Sequence, residues 1–142
     1  MSWAGIAVCW RRPDQTDDEI YLEHYGDDDG NYPVPPPPTA QQLTCSARAV
    51  ELIAATGLTI EREATSTVCY DEYTNVVIYD NSADVTPTRS TRLEGQHERL
   101  WEQVRLLAAL ADSFVIDGDD GFVYDLSTTE SGEPLGYEWC DR

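Results

Sequence analysis

Carboxylates dominate the side chains of this sequence that could do chemistry. Two short runs set them beside glycine: Asp27-Asp28-Asp29-Gly30 and Asp117-Gly118-Asp119-Asp120-Gly121. A calcium loop of the EF-hand kind needs oxygen ligands at its first, third and fifth positions, glycine at the sixth and a bidentate Glu at the twelfth. Asp117 and Asp119 are spaced in that way, but Gly121 and Phe122 then occupy the fifth and sixth positions. The earlier run fails similarly, because Tyr25 would be the first position and Pro36 the twelfth. Both runs therefore read as turns before they read as metal sites.

His24 and His97 are the only histidines, and neither belongs to an HxxxH or HExxH pattern. His97 precedes Trp101 by four residues on an apolar helical stripe and reads as a core histidine. His24 lies among carboxylates, which should favour its charged form. The four cysteines, Cys9, Cys45, Cys69 and Cys140, contain no CxxC pair, so a zinc site would have to gather ligands from the whole chain. Cys9 and Cys69 sit in apolar, strand-like runs and read as small core residues. The sequence has no GxSxG, no phosphate-cradling glycine loop and no cysteine in a catalytic motif. An acid–base pair of carboxylates cannot be singled out among so many. The expectation is a non-enzymatic protein with no cofactor and no resident metal.

The charge balance says more than any motif. The 142 residues carry 27 Asp and Glu against 9 basic residues, all of them Arg, for a formal net charge of -18. Phosphate recognition requires a basic patch, so direct nucleic-acid binding is excluded, and an anionic membrane surface is disfavoured for the same reason. A basic protein would instead be attracted, with steered and salt-sensitive association. No apolar run is long enough for a membrane span, and the N-terminus lacks a basic, apolar leader. A soluble, cytoplasmic protein with reduced thiols is expected.

These residues must be positioned by one domain of 142 residues, with 4 Trp and 8 Tyr for its core. The apolar run from Trp3 to Trp10 reads as a strand covered on both faces. Residues 13–38 read as an acidic insert with a short edge strand at Ile20-Tyr21-Leu22. Its end, Pro33 to Pro38, should form extended polyproline II, either a ligand for a groove or, preferably, a stiff connector. Thr39 and Gln42 form a capping box for a helix whose expected stripe is Ala40, Leu43, Ala47, Val50 and Ala54, with Gly57 as its left-handed end. Strands are expected over 58–64, 68–70 and 76–79. A second helix should start at Thr91 with Glu94 and bury Leu93, His97, Leu100, Trp101, Val104, Leu107, Ala108 and Ala111. Phe114 to Ile116 and Phe122 to Tyr124 then read as a hairpin across the Asp-Gly turn. The order predicts an α+β, ferredoxin-like βαββαβ sandwich with an extra C-terminal strand and two helices on one face of a mostly antiparallel sheet.

The acids are not evenly spread. Residues 13–30 and 117–142 hold eight each, 16 of the 27, and both segments interleave them with aromatics. Concentrated charge costs self-repulsion that a dispersed pattern would reduce. The expected function is an acidic binding protein that neutralises a basic partner. Immunity proteins against nuclease toxins, and DNA mimics that block defence effectors in phage and bacteria, share its composition. The expected contact residues are Asp17, Asp18, Glu19, Tyr21, Tyr25, Asp27, Asp28 and Asp29, with Asp117, Asp119 and Asp120 as a second group. Two other readings are a cytosolic protein adapted to high salt and a small enzyme or metal-binding domain built on the Asp-rich loops.

Overall fold

A computed structural model describes residues 5–34, 36–88, 93–117 and 123–124. The elements run β1 (Ile6–Trp10), α1 (Asp17–Tyr25), α2 (Ala40–Ala55), β2 (Thr59–Arg62), β3 (Thr67–Tyr70), β4 (Thr74–Ile78), β5 (Ser82–Pro87), α3 (Gln96–Ala108), β6 (Ser113–Asp117) and β7 (Val123–Tyr124). The seven strands form one sheet in the order β2-β3-β4-β5-β1-β6-β7, and every neighbouring pair is antiparallel. The fold is α+β.

The strand order differs from the expected four-strand βαββαβ plan. A four-strand meander, β2 to β5, stands between α2 and α3. β1 lies between β5 and β6, and α3 joins these two strands, which run parallel to each other on either side of it. The difference turns on β5, for which no strand was expected. Its residues Ser82-Ala83-Asp84-Val85-Thr86-Pro87 put only Ala83 and Val85 in the main core, and a carboxylate interrupts the apolar pattern. Its pairing with β1, Ile6 to Val85 and Val8 to Ala83, is what places it in the sheet.

β1 is buried along its whole length, as a strand covered on both faces must be. Alternation sends Ile6, Val8 and Trp10 into the main core under α2 and α3. Ala7 and Cys9 point the other way, into a second cluster with Ile20, Phe114 and Ile116. α1 supplies Ile20, so a third helix covers the opposite face. The expected strand at Ile20-Tyr21-Leu22 is therefore corrected to helix. Thr16 caps it: its Oγ1 accepts from the Glu19 amide at 3.2 Å while the Glu19 carboxylate accepts from the Thr16 amide at 3.3 Å. That capping box outweighs the weak β preference of a three-residue apolar run.

The Thr39 capping box of α2 forms as expected, and Gly57 follows the helix at φ 99. The buried face is rotated from the expected one. Gln42, Cys45, Ala49 and Ile53 point inward, whereas Leu43 and Ala47 are exposed. Small alanines mark a helix face poorly, and Gln42 disguises the true stripe. Its amide nitrogen donates to the Trp10 carbonyl at 2.8 Å. The Trp10 indole donates to the Leu107 carbonyl at 3.0 Å, so Trp10 ties β1 to both helices.

α3 buries His97, Leu100, Trp101, Val104 and Leu107, as its stripe predicts. It starts later than expected, at Gln96 behind Gly95 in the left-handed region, and the Gln96 side chain accepts from the Leu93 amide at 3.0 Å. Thr91 lies outside the described residues. β6 and β7 pair as the expected hairpin, Ile116 opposite Val123, while its turn lies outside the described residues. No helix among the described residues is long and apolar enough to cross a membrane.

Candidate docking site

α1 has two unlike sides. Its inner side is held to the sheet by Ile20, which is 1% exposed, and to the segment just before it by a polar clamp. Arg12 pairs with Glu23 at 2.9 Å, and the Gln15 amide nitrogen donates to the same carboxylate at 2.8 Å. The Gln15 carbonyl oxygen of the side chain accepts from the Arg12 amide at 2.9 Å, which closes the clamp. Arg11 fixes the start of the helix from outside, reaching Asp17 at 2.6 Å and Asp112 at 3.1 Å. Asp17, Asp18 and Glu19 all fall in the first turn, where the helix dipole favours negative charge.

The helix ends at Gly26, φ 76, where a Cβ would stand 2.8 Å from the Asn31 carbonyl oxygen. The turn that follows is organised by Asp27. Its carboxylate accepts from the amides of Asp29 and Asn31, each at 2.9 Å. These backbone hydrogen bonds, that from Asn31 foremost, hold its carboxyl below the ordinary range. Asp28 and Asp29 are left on the outside of the turn.

The expected contact residues thus separate by what they already do. Asp17 is committed to Arg11, Glu19 to the cap and Asp27 to the turn. The carboxylates of Asp18, Asp28 and Asp29 are exposed and make no hydrogen bond or ion pair among the described residues. Tyr21 and Leu22, 37% and 40% exposed, lie on the outer side of α1. Tyr25 is the last helical residue. Asp117 ends β6 opposite Ile6, and Asp119 and Asp120 lie outside the described residues. The C-terminal segment from 125 onward, with Tyr137 and Trp139, also lies outside them.

Beneath α1 the fold brings together Cys9 of β1, Glu23 and His24 of α1 and Asp84 of β5, a grouping with no trace in sequence spacing. A cavity of about 10 Å³, room for roughly one water, is lined by Cys9, Gln15, Glu23, His24, Gln42 and Asn81 among others. Burial lowers the His24 pKa, and the opposing pull of Asp84 and Glu23 is smaller. The expectation of a carboxylate-stabilised charged His24 is corrected accordingly. Burial raises the Asp84 carboxyl, with His24 opposing. Burial, then Asp84 and Glu23, push the Cys9 thiol far above its ordinary range. A nucleophilic cysteine needs the reverse, a stabilised thiolate. Cys45 and Cys69 are likewise buried and free. Among the described residues no group of three or more His, Cys, Asp or Glu is placed to hold a metal ion.

No protein-family model matches this sequence, and no curated protein or solved structure shows significant similarity to it.

Proposed function

We propose that this chain is an acidic, non-enzymatic docking protein that occupies and neutralises the basic surface of a protein partner, in the manner of an immunity protein or a DNA mimic. A nuclease or another nucleic-acid-binding defence effector is the class of partner that its charge suits. The observation that carries the reading is the outer side of α1 with its following turn. Uncommitted carboxylates at Asp18, Asp28 and Asp29 bracket the exposed Tyr21 and Leu22. Carboxylates at the rim steer encounter, and aromatic or aliphatic anchors between them supply the energy of a bound state.

The test is capture of basic proteins from native host lysate at low salt, followed by elution in a salt gradient. The parent protein should retain a basic partner that rising salt releases. The variant D18R/D28R/D29R should bind that partner at least about a hundredfold more weakly, since coupling energies for close interfacial charge pairs are about 1.5 kcal/mol or more each. Its thermal midpoint should stay within a few degrees, because none of the three carboxylates is engaged among the described residues. Undiminished capture by the triple variant would remove α1 and its turn as the docking surface. A parent fold that requires molar salt would instead assign the acidity to a high-salt habitat.

A further inference from the structure

Between the Asp27 turn and the Thr39 cap the sequence reads Tyr32-Pro33-Val34-Pro35-Pro36-Pro37-Pro38. Val34 is 94% exposed and Tyr32 61%, the two most exposed large hydrophobic residues among those described. Pro33, Pro36 and Pro37 are exposed beside them. A connector does not require this. α2 begins with its own capping box, so polar residues could make the same crossing without offering apolar surface to water. Contiguous exposed apolar surface is a mark of an interaction site.

The chemistry of the run restricts what could meet it. Proline has no backbone N–H, so the segment cannot be extended by strand pairing, and it cannot enter a helix interior. Each proline holds φ near -65°, and each residue before a proline is pushed into the extended region. No described peptide bond is cis. A sequence of this kind favours the left-handed polyproline II conformation, in which backbone carbonyls stay open to a donor. Neither Tyr32 nor Val34 donates a backbone hydrogen bond among the described residues. Both ends are anchored, by the Asp27 turn and by the Thr39 capping box. Little ordering entropy would therefore be lost on binding.

We infer that residues 32–38 are a second docking element, which lies in an aromatic-lined, polyproline-reading groove of a protein partner. Flat aromatic rings would stack on the proline rings and on Val34, and ring N–H or O–H groups would donate to the carbonyls. Asp28 and Asp29, just before the run, suit a groove with a basic rim. The proline and Val34 contacts do not depend on the acidic docking surface, with which this element shares Asp28 and Asp29.

The experiment is calorimetric titration of the full-length protein with a panel of purified SH3 and WW domains, the probes for such grooves. At least one domain should bind saturably, tighter than about 1 mM. The variant P36A/P37A, with unchanged circular dichroism, should weaken that binding at least about tenfold, since it releases the fixed backbone and removes two ring contacts. The variant D28N/D29N should alter mainly its salt dependence. A panel with no binder tighter than about 1 mM, or a loss below tenfold in P36A/P37A, overturns the inference. Salt-eluted capture by the proline variant reports on the acidic surface separately, so the two readings fail independently.

Discussion

Ile20→Ala separates the two hydrophobic clusters of this fold. Ile20 is the only side chain of α1 among those described that is fully buried, and its neighbours Ala7, Cys9, Phe114 and Ile116 belong to β1 and β6. Truncation removes three carbons, worth about 2.4 kcal/mol at roughly 0.8 kcal/mol per buried CH₂. The residual void adds to this, within the range of about 2–5 kcal/mol found for such deletions. Among the described residues, the Arg12–Glu23–Gln15 clamp and the Arg11–Asp17 pair join α1 to the segment just before it, residues 11 to 15, while His24 lies near Asp84 of β5. Among the described residues the main core under α2 and α3 contains none from α1. The cost should therefore appear as local opening of α1, not as global unfolding. Native-state hydrogen exchange is the assay. Amides of Tyr21 to His24 should lose protection by at least about thirtyfold, while amides of α2, α3 and β4 change by less than about threefold, given tenfold per 1.4 kcal/mol. Ile53→Ala, in the main core, should lower protection everywhere. If Ile20→Ala lowered protection equally in all elements, α1 would belong to the single cooperative unit and the two-cluster argument would fail.

Two further outcomes follow from the polar side of α1. Arg12→Ala leaves the largely buried Glu23 carboxylate with the Gln15 amide as its only partner among the described residues, and should cost about 1–3 kcal/mol, discounted from fully buried pairs for partial exposure. The double variant R12A/E23Q should recover part of that loss in urea titrations, because no charge is left without its counterion. Asp84 and His24 predict pH effects of opposite sign. The Asp84 carboxyl is raised by burial, so the folded state binds its proton more tightly than the unfolded chain. Its ionised form penalises the fold at neutral pH, and the penalty fades as pH falls through the folded value towards 3.8. Asp84→Asn should thus stabilise at pH 7 and lose that advantage below pH about 4, as denaturant midpoints at the two pH values would report. His24 is lowered, so the unfolded chain takes up its proton first as pH falls through 6.5, and the fold loses stability there. His24→Asn should flatten that acid-side decline.

Local signals written in adjacent residues were legible. The Thr39–Gln42 capping box, the Gly57 end, the α3 stripe and the β6–β7 pairing needed only spacing to be read, because each depends on neighbours a few residues apart. The Thr16–Glu19 box has the same spacing, but it stands in an acidic run and is followed by the apolar triplet Ile20-Tyr21-Leu22, whose local pattern is that of a short strand. The α2 face was misread because Gln42 behaves as a core residue only once the Trp10 carbonyl is there to accept from it. β5 was missed because Asp84 looks like a turn residue until β1 and α1 bury it.

The acid content and the absence of lysine follow from composition, and no tertiary contact alters them. Which acids remain available is a different kind of property. Asp17, Glu19 and Asp27 are engaged by Arg11, Thr16 and the amides of the 27–31 turn, whereas Asp18, Asp28 and Asp29 face outward. The proximity of His24 to Asp84 beneath α1 brings together residues sixty positions apart on different elements. Charge is additive and can be summed along a chain. Burial and partnership depend on which distant groups the sheet brings together, and only the folded arrangement decides them.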